Sequence, residues 1–482
     1  MAVRKLDGRK GSLIAGALVD WDSNISDYPK MYQRRLGFTS FPVSVEEDSI
    51  TPATKNTAGS QAEPIITRYT PNGPLEVEVL ADDLDFWLFV LMRSGVITSA
   101  NQATLALPSA TLSTLTGTLG TVTAASGAFP AYTFGGGKAS LGTYPAQMRV
   151  TFSPTAHSFP ITAVVTGTQR SGLAATDLKP FSKAYVIPAN ATTFDFPDYI
   201  QEVSAVSYSG GTMTGTAALS TVAASAAKTR THLMNNDSQQ QPMDMQLIID
   251  KLPIVARSML ITQGTYTLGD LMTATYNLIG KSLDLYQMID STAEKLTYDK
   301  NVTGAALSNF PEPNRGNIFR GGLARLEIGD ELDHDDTFTA TDYTISGTEG
   351  TVDINYNLEV GSPNLYAGKE ASAEPSPSET GRVVTMTNTV DARSGDASGD
   401  LFPRWNAWAK SGINKSIRLS QLGLAKDGKY YEIQFLCRKA KLTEIPSWDL
   451  SAAGDIPITL NWQAGNPAGT DDPRELDVTT IT

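Results

Sequence analysis

Two segments of this chain carry residue types that could bind an anion or a metal ion. The segment Gly135-Gly136-Gly137-Lys138 contains the glycines and the lysine of a phosphate-binding loop, but the spaced first glycine is missing and Ala139 stands where a Ser or Thr is required. The acidic run 330–336 could hold Ca²⁺ loosely, yet it lacks the ligand spacing of an EF-hand. A solvated acidic loop, with His334 at the surface, is the favoured interpretation, and we expect no cofactor and no metal.

Acid–base catalysis would need paired carboxylates close to a nucleophile or a histidine. Glu76 and Glu78 are such a pair, but they alternate with aliphatic residues and fall on one face of a predicted strand. The three histidines, at positions 157, 232 and 334, lie far apart in sequence. We therefore predict no catalytic residues and a protein that is not an enzyme.

Composition sets broad limits on the kind of protein this is. The 482 residues carry a net charge of −13, which argues against nucleic-acid binding through basic patches. Cys437 is the only cysteine, so an intramolecular disulfide and a cysteine-based zinc site are excluded. The basic start followed by the apolar stretch 13–19 imitates a signal peptide, but Asp20-Trp21-Asp22 stands where small residues should mark cleavage. We expect an intracellular protein without a membrane span.

One sequence pattern occurs twice in the chain. Ala62-Glu63-Pro64 recurs as Ala373-Glu374-Pro375 at an offset of 311, and the helix-like segment 84–95 recurs as 401–412 at an offset of 317. A third match, Gly269-Asp270 with Gly454-Asp455, has an offset of only 185. The first copy therefore carries about 132 extra residues between its helix and its closing strand. This indicates a duplicated module with a foreign domain inserted into the first copy.

The composition of the extra segment agrees with an insertion. Thr, Ala, Ser and Gly dominate it, charges are sparse, and short β-prone runs recur between turn signals, as in a small β-sandwich. The predicted divisions are an N-terminal arm (1–40), module 1 (41–98 plus 240–285), an inserted sandwich (99–239), a connector (286–319) and module 2 (320–482).

Two segments alternate apolar and polar residues with the period of a strand. They are Leu75–Val79 and Val352–Val360. In each, one face is polar and the opposite face must pack against the rest of its module. The polar residues proposed to share a functional surface are Glu76, Glu78, Asp353, Asn355, Asn357 and Glu359.

Each copy also predicts one short helix. Acidic residues begin the first helix, Arg93 and Gly95 end it, and Lys410 and Gly412 end the second, as the helix dipole and a glycine C-cap require. One apolar stripe on each helix is predicted to be buried. The stripe residues are Leu84, Leu88 and Leu91 in the first helix and Leu401, Trp405 and Trp408 in the second.

The order of features in the two copies resembles that of the tail tube proteins of long-tailed bacteriophages, in the form whose tube module is duplicated. The shared features are an alternating strand, a turn with Glu-Pro, a second alternating strand, a short helix ending in Gly, and a closing strand after Gly-Asp. The resemblance covers about 40–98, 240–285 and 320–475 and leaves out the insertion. It implies a mainly β fold: two tube modules of β-barrel or sandwich type, each with a short helix, plus the inserted β-sandwich.

The resemblance also implies a function. Such modules pair strand edges into rings that stack into a hollow tube, and the genome passes through the tube when it is ejected. The polar residues above would then line the channel without binding DNA specifically. Three two-module chains would form a pseudo-six-fold ring; six whole chains are the alternative. Further partners would be tape measure, terminator and distal tail proteins, in a virion tail assembled in the host cytoplasm.

Two other functions remain open at this point. A capsid decoration or a surface-layer subunit would explain the inserted sandwich and its low charge, but not the duplication around it. A carbohydrate-active enzyme with a β fold ranks third, since Trp405 and Trp408 could form a sugar platform but are predicted to be core.

Overall fold

The computed structural model describes most of the chain in segments. These are 11–18, 34–41, 44–50, 65–94, 110–111, 118–124, 132–133, 137–153, 159–210, 215–234, 241–249, 252–285, 317–333, 336–346, 349–359, 378–379, 381–392, 401–425, 427–444, 456–467 and 475–482.

The described elements are antiparallel strands with two α-helices and one turn of 3₁₀ helix (Ala223–Ser225). The first part contains β1 (Gly11–Ala17), β2 (Arg34–Leu36), β3 (Ser44–Ile50), β4 (Ile65–Glu78) and α1 (Ala81–Met92). Next come β5 (Ala110–Thr111), β6 (Thr118–Ala124), β7 (Tyr132–Thr133), β8 (Ala139–Ser140), β9 (Ala146–Ser153), β10 (Ile161–Arg170), β11 (Leu178–Ile187), β12 (Thr193–Ile200), β13 (Glu202–Ser209), β14 (Gly215–Thr221) and β15 (Lys228–Leu233). The chain continues with β16 (Met243–Ile249), β17 (Leu252–Leu268), β18 (Thr273–Ile279), β19 (Ser282–Leu285), β20 (Phe319–Asp330), β21 (Tyr343–Ser346), β22 (Glu349–Asn355), β23 (Leu358–Glu359), β24 (Ser378–Glu379), β25 (Val383–Ala392), α2 (Leu401–Ser411), β26 (Asn414–Leu424), β27 (Tyr430–Leu442), β28 (Ile456–Gly465) and β29 (Asp477–Ile481).

Two sets of seven strands pair in the same order. In the first strand set the order across the sheet is β3–β4–β18–β17–β16–β1–β2. In the second strand set it is β22–β25–β28–β27–β26–β20–β21. The first, second and later strands along the chain take the same places across the sheet in both sets. In each set the helix follows the strand that is second in the order given, α1 after β4 and α2 after β25. The repeated pairing order is what a duplicated module would produce.

One strand pair joins the two sets into a single sheet. The second half of β17 pairs on one edge with β18 and on the other with β22, from Gln263 opposite Asn355 to Leu268 opposite Gly350. We call this β17–β22 pair the joint. One hydrophobic core also extends under both sets; in it Tyr266 of β17 meets Phe435 of β27 with ring centroids 5.2 Å apart.

The mainly β expectation is confirmed, but the sheets are open rather than closed into barrels. The terminal strands β2 and β3 of the first set do not pair with each other in the described part of the chain. In the second set β22 pairs with β17 instead of with its own far end. The described strands therefore form no closed barrel. In the first set the two end strands do not meet, and in the second set the edge of β22 is already paired with the first set.

The segment predicted as an N-terminal arm contains a core strand. Leu13, Ile14 and Ala15 are fully buried, and β1 lies between β16 and β2. The apolar stretch that imitates a signal peptide is therefore explained by burial in the sheet. Of the predicted connector 286–319, residues 286–316 lie outside the described residues, and Phe319 already begins β20.

Helix α1 is buried on all sides, not on one stripe as predicted. Leu84, Leu88 and Leu91 are buried, but so is every other residue of the helix except Asp82. Strands β2, β15 and β17 contact it. The helix ends at Met92, and Arg93 adopts the left-handed conformation (φ 53°) that was expected of Gly95, which lies outside the described residues.

Helix α2 is closer to the predicted amphipathic pattern. Trp405 and Trp408 are buried, whereas Lys410 is exposed. Gly412 ends the helix with φ +67°, and its N–H donates to the Trp408 carbonyl, which is the expected glycine C-cap. The side chain of Leu401 lies outside the described part of the chain.

The inserted segment contains two antiparallel sheets around a core of its own. One sheet has the order β11–β10–β13–β7, with β8 also on β13, and the other has the order β12–β9–β14–β6. The ends of the predicted insertion belong elsewhere: β5 and β15 pair with each other, and β15 pairs with the last strand, β29. The sandwich also contacts the second strand set, because Tyr199 N–H donates to the Asp427 carbonyl and Tyr144 packs on Tyr430.

Candidate functional surface

Six neighbouring strands present one continuous polar surface that crosses the joint. They are β4, β18, β17, β22, β25 and β28, and the apolar residues between the polar ones point into the core. We call this surface the polar face. Its first row of cross-strand neighbours is Glu78, Thr273, Thr267, Thr351, Thr387 and Asn461. Its second row is Glu76, Thr275, Thr265, Asp353, Thr385 and Gln463.

Side-chain hydrogen bonds connect the polar face across the joint. Asp353 of the second strand set accepts from Gln263 Nε2 at 2.8 Å and from Thr265 Oγ1 at 2.5 Å. Asn277 Nδ2 in turn donates to Gln263 Oε1 at 2.9 Å. These contacts hold β22 in register on β17, so the surface is continuous although its two halves come from different strand sets.

The charge on the polar face is uneven along its rows. Both rows begin with a glutamate, Glu76 and Glu78, which are exposed, and continue mainly with threonine, Asn and Gln. Neither row contains a Lys or Arg. Beyond β28 the next residue along the second row is Lys441 of β27, which is exposed and lies opposite Gln463. One end of the face is thus acidic, and the strand that borders its other end carries a single exposed lysine.

Four of the six polar residues singled out from the sequence lie on this face. Glu76, Glu78, Asp353 and Asn355 share it, and Glu76 and Asp353 stand three strands apart, roughly 14 Å at the usual strand spacing. The apolar residues on the opposite faces of these strands are buried as expected, with Val77 2% and Ile354 0% exposed. Tyr356, just after β22, is 1% exposed.

The other two residues, Asn357 and Glu359, lie elsewhere because the predicted nine-residue strand is broken. Asn357 adopts φ 45°, its N–H donates to Asn355 Oδ1, and its Nδ2 donates to the Gly381 carbonyl. Asn tolerates this left-handed conformation at little cost, so the chain turns there. Glu359 belongs to β23, which pairs with β24 in a separate two-stranded sheet, and its side chain is not described.

A second group of polar residues is buried where three distant segments meet. Asp85 of α1 accepts from Arg230 Nη1 of β15 and from Thr480 Oγ1 of β29 at 2.7 Å. His232 Nε2 lies 3.4 Å from Asp85 Oδ1, and its Nδ1 lies 2.9 Å from Ser94 Oγ. Burial, with a smaller effect from Arg230, lowers the pKa of His232 to about 4. Sequence reasoning missed this group because its members are up to 395 residues apart.

This Ser–His–Asp arrangement has the residue types of a nucleophilic site but the surroundings of a structural contact. His232 and Asp85 are only 3% and 4% exposed, so they have little room for a substrate. Ser94 follows the carboxyl end of α1, where helix carbonyls would oppose, rather than stabilise, a developing oxyanion. The geometry therefore suits a structural role, in which these hydrogen bonds hold β15 and β29 against α1.

Asp330 and Glu331, at the start of the acidic run 330–336, form ion pairs with lysines. Lys415 Nζ lies 2.9 Å from Asp330 and 2.8 Å from Asp342, and Lys439 Nζ lies 2.9 Å from Glu331. His334 lies outside the described residues. Nowhere in the described segments do three His, Cys, Asp or Glu side chains come together in a way that could hold a metal ion.

Comparison with known proteins leaves the surface as the main guide to function. No family model matches the chain, and the search of curated proteins found no relative. Neither of the helices in the described segments is long and apolar enough to cross a membrane.

Proposed function

We propose that this protein is the structural subunit of a bacteriophage-type tail tube and that the polar face lines the channel through which DNA passes. The observation that carries the proposal is the continuity of the polar face across the joint. A channel wall needs a wide sheet with one hydrated side and one packed side, and here six strands from both sets meet that need.

The chemistry of the polar face suits a surface that DNA passes without stopping. Cationic side chains would pair with phosphates and hold the duplex, and the two rows contain none. Threonine hydroxyls and Asn or Gln amides offer weak, exchangeable hydrogen bonds. Glu76, Glu78 and Asp353 add repulsion, which at physiological salt reaches only about 8 Å and therefore acts on a duplex close to the wall.

The number of strands favours three chains per ring. Pairing continues beyond the six strands of the polar face into β3 on one side and β27 on the other, so each chain offers eight consecutive strands for the wall. Three chains would supply 24 strands and a circle roughly 37 Å across at the backbone, given about 4.8 Å per strand. Two chains would give roughly 24 Å, which side chains would largely fill, and six would give roughly 73 Å, far wider than a duplex needs.

Stacked rings of this kind would form the tube of a virion tail. The further partners, inside the tube and at its ends, would be the tape measure, terminator and distal tail proteins that the resemblance implies. The inserted sandwich contacts the second strand set through Tyr144 and Tyr199, on elements outside the polar face, and would project from the outside of the tube.

Electron microscopy of the purified full-length protein tests this proposal. We expect hollow tubes of stacked rings, with weak densities for the sandwich on the outside. Flat lattices would favour a surface-layer subunit instead. Dispersed single chains at high protein concentration and in the presence of nucleating tail tips would overturn the assembly proposal.

A further inference from the structure

The inserted sandwich belongs to the first strand set by chain order but contacts the second strand set. Its strands, β6 to β14, lie in the chain between α1 and β16. The surface on which it sits consists instead of β26 and β27 of the second set, the turn between them, and β29, which pairs with β27. One domain is therefore connected to one set through the chain and to the other set through packing.

An apolar contact forms the first half of this interface. The receiving sheet contributes side chains that are 0%, 2% and 4% exposed, namely Leu422, Tyr430 and Ile481. Tyr144 and Leu173 of the sandwich pack against this cluster, and the rings of Tyr144 and Tyr430 have centroids 5.1 Å apart. Contact with the sandwich removes apolar surface from water, which stabilises the docked arrangement.

Arg170 fixes the sandwich loop that makes this contact. It is 4% exposed, its Nε donates to the Gly172 carbonyl at 2.9 Å, and its Nη2 donates to the Leu173 carbonyl at 2.7 Å. Its guanidinium carbon also lies 5.4 Å from the centre of the Tyr430 ring, within the range of a cation–π interaction. One buried cation therefore shapes the loop and contacts the second strand set at the same time.

The turn between β26 and β27 forms the second half of the interface and leaves no room there for a side chain. Tyr199 N–H donates to the Asp427 carbonyl at 2.8 Å. Gly428 adopts φ +85°, and a Cβ at this position would lie 2.5 Å from Gln169 Nε2 and 2.8 Å from the Tyr199 carbonyl oxygen. Because Gln169 Nε2 donates to that same oxygen at 3.0 Å, neither group can move away without disturbing a hydrogen bond. Both the backbone conformation and the closeness of the sandwich therefore favour glycine.

The chain that leaves the sandwich reaches the first strand set along a hydrogen-bonded path. Ser225 Oγ accepts from Gln147 N–H at 2.9 Å and donates to the Val222 carbonyl at 2.7 Å, which ties this exit to β9. Strand β15 follows directly, and its Arg230 donates to Asp85 of α1. The exit from the sandwich to α1 is therefore a fixed connection and not a free linker.

We propose that the inserted sandwich is an intramolecular brace, that is, a domain that holds the two strand sets in one relative orientation and so stabilises the joint. A domain attached to one set alone would leave that orientation unchanged. Attachment to both sets opposes any opening of the joint, because opening would break the docking contact as well. The proposal does not depend on the tube function, since every contact that carries it lies within one chain.

Gly428→Ala tests the brace, and Gly137→Ala in the sandwich is the matched control. The two glycines have nearly the same positive φ, +85° and +82°, so alanine costs similar backbone strain at both. A Cβ at Gly137 would meet nothing within 4 Å, whereas a Cβ at Gly428 would collide with the sandwich. The difference between the two variants therefore reports the docking contact.

Hydrogen exchange at three backbone amides provides the measurement. The Tyr199 amide reports the interface through its bond to Asp427. The Tyr356 amide reports the joint, because it donates across the two sets to the Thr262 carbonyl at 2.9 Å. The Leu141 amide donates within the sandwich and reports whether that domain stays folded.

We expect Gly428→Ala, relative to Gly137→Ala, to speed exchange about tenfold or more at Tyr199 and about threefold or more at Tyr356, with Leu141 unchanged. Faster exchange at Tyr199 alone would overturn the brace and leave only a docked domain. Equal exchange in the two variants at both amides would overturn the docking contact too. If Gly428→Ala does not fold, Leu173→Asp breaks the apolar contact from the sandwich side, with the exposed Ser182→Asp as its control, and the same amides decide.

Discussion

Thr265 and Asp353 lie directly opposite each other across the joint, and Thr265 Oγ1 donates a 2.5 Å hydrogen bond to Asp353 Oδ1. Thr265 belongs to the first strand set and Asp353 to the second, so this contact helps to fix the register in which the two sets pair. The polar face exists as one surface because such contacts hold the two sets edge to edge.

Tyr356 should be the main anchor of the joint. It is 1% exposed, its hydroxyl donates to the Leu91 carbonyl, and Arg93 stacks on its ring. We expect Tyr356→Ala to lower the free energy of unfolding by about 3 to 5 kcal/mol, as other buried aromatic truncations do. Tyr356→Phe, which loses only the hydrogen bond, should cost about 1 kcal/mol.

Urea unfolding measures both values. The control is Val383→Ala, at a side chain that is 37% exposed, which should change stability by no more than about 0.5 kcal/mol. If Tyr356→Ala behaves like this control, the anchor role is wrong.

The buried group around His232 predicts how stability depends on pH. Because burial lowers its folded pKa to about 4 from the ordinary 6.5, the unfolded chain takes up a proton first as the pH falls. Stability should therefore be complete above about pH 6.5 and decrease toward pH 4, by at most about 3 kcal/mol. The charged groups beside it are Asp85, whose carboxylate lies 3.4 Å from His232 Nε2, and Arg230, which pairs with Asp85.

Comparison with His232→Gln isolates this contribution, because the carboxylates elsewhere titrate in both proteins. The difference in unfolding free energy between the two proteins should shrink as the pH falls from 7 to 4.5. His334→Gln, in the acidic run, is the control and should leave the pH profile of the parent unchanged. A constant difference across that range would refute the assignment.

The sandwich should be removable if the cut respects the strand pairing. Thr118 lies opposite Ser220, so a short Gly/Ser linker can replace the whole segment between them. We expect the chain without 119–219 to stay soluble and to assemble, with some loss of stability where Leu422 and Tyr430 become exposed.

A longer deletion of 101–231 is the informative comparison. It removes most of β15, which pairs with β29 and supplies Arg230 to Asp85. That deletion should reduce soluble yield and assembly, measured by size-exclusion chromatography. Equal behaviour of the two deletions would show that β15 is dispensable.

The acidic end of the polar face should control how easily DNA passes. Glu76→Gln with Glu78→Gln removes two negative charges, and the double Lys variant replaces them with cations that can hold phosphates. Tubes should form in both cases, and genome ejection should slow modestly in the Gln variant and more strongly in the Lys variant. Ser182→Lys with Ala184→Lys, at exposed positions on the sandwich, is the control. Ejection at the parental rate from the Lys particles would contradict the lining role.

Local alternation predicted the faces of β4 and β22 because period-two patterns follow directly from strand geometry. The break at Asn357 was missed because a polar residue at that position fits the alternating pattern as well as it fits a turn. The full burial of α1 was missed for another reason: Asp83 and Asp85 fit the acidic start that the helix dipole favours, yet they are buried and accept hydrogen bonds from Gly37 and Arg230. Sequence spacing cannot reveal partners that only the tertiary fold brings near.

A cryo-electron microscopy reconstruction of the assembled protein tests the central claim most directly. We predict hollow rings of three chains in which β4, β18, β17, β22, β25 and β28 form the wall and Glu76, Glu78 and Asp353 point into the channel. A reconstruction with the polar face on the outside, or with six whole chains around the ring, would contradict this account.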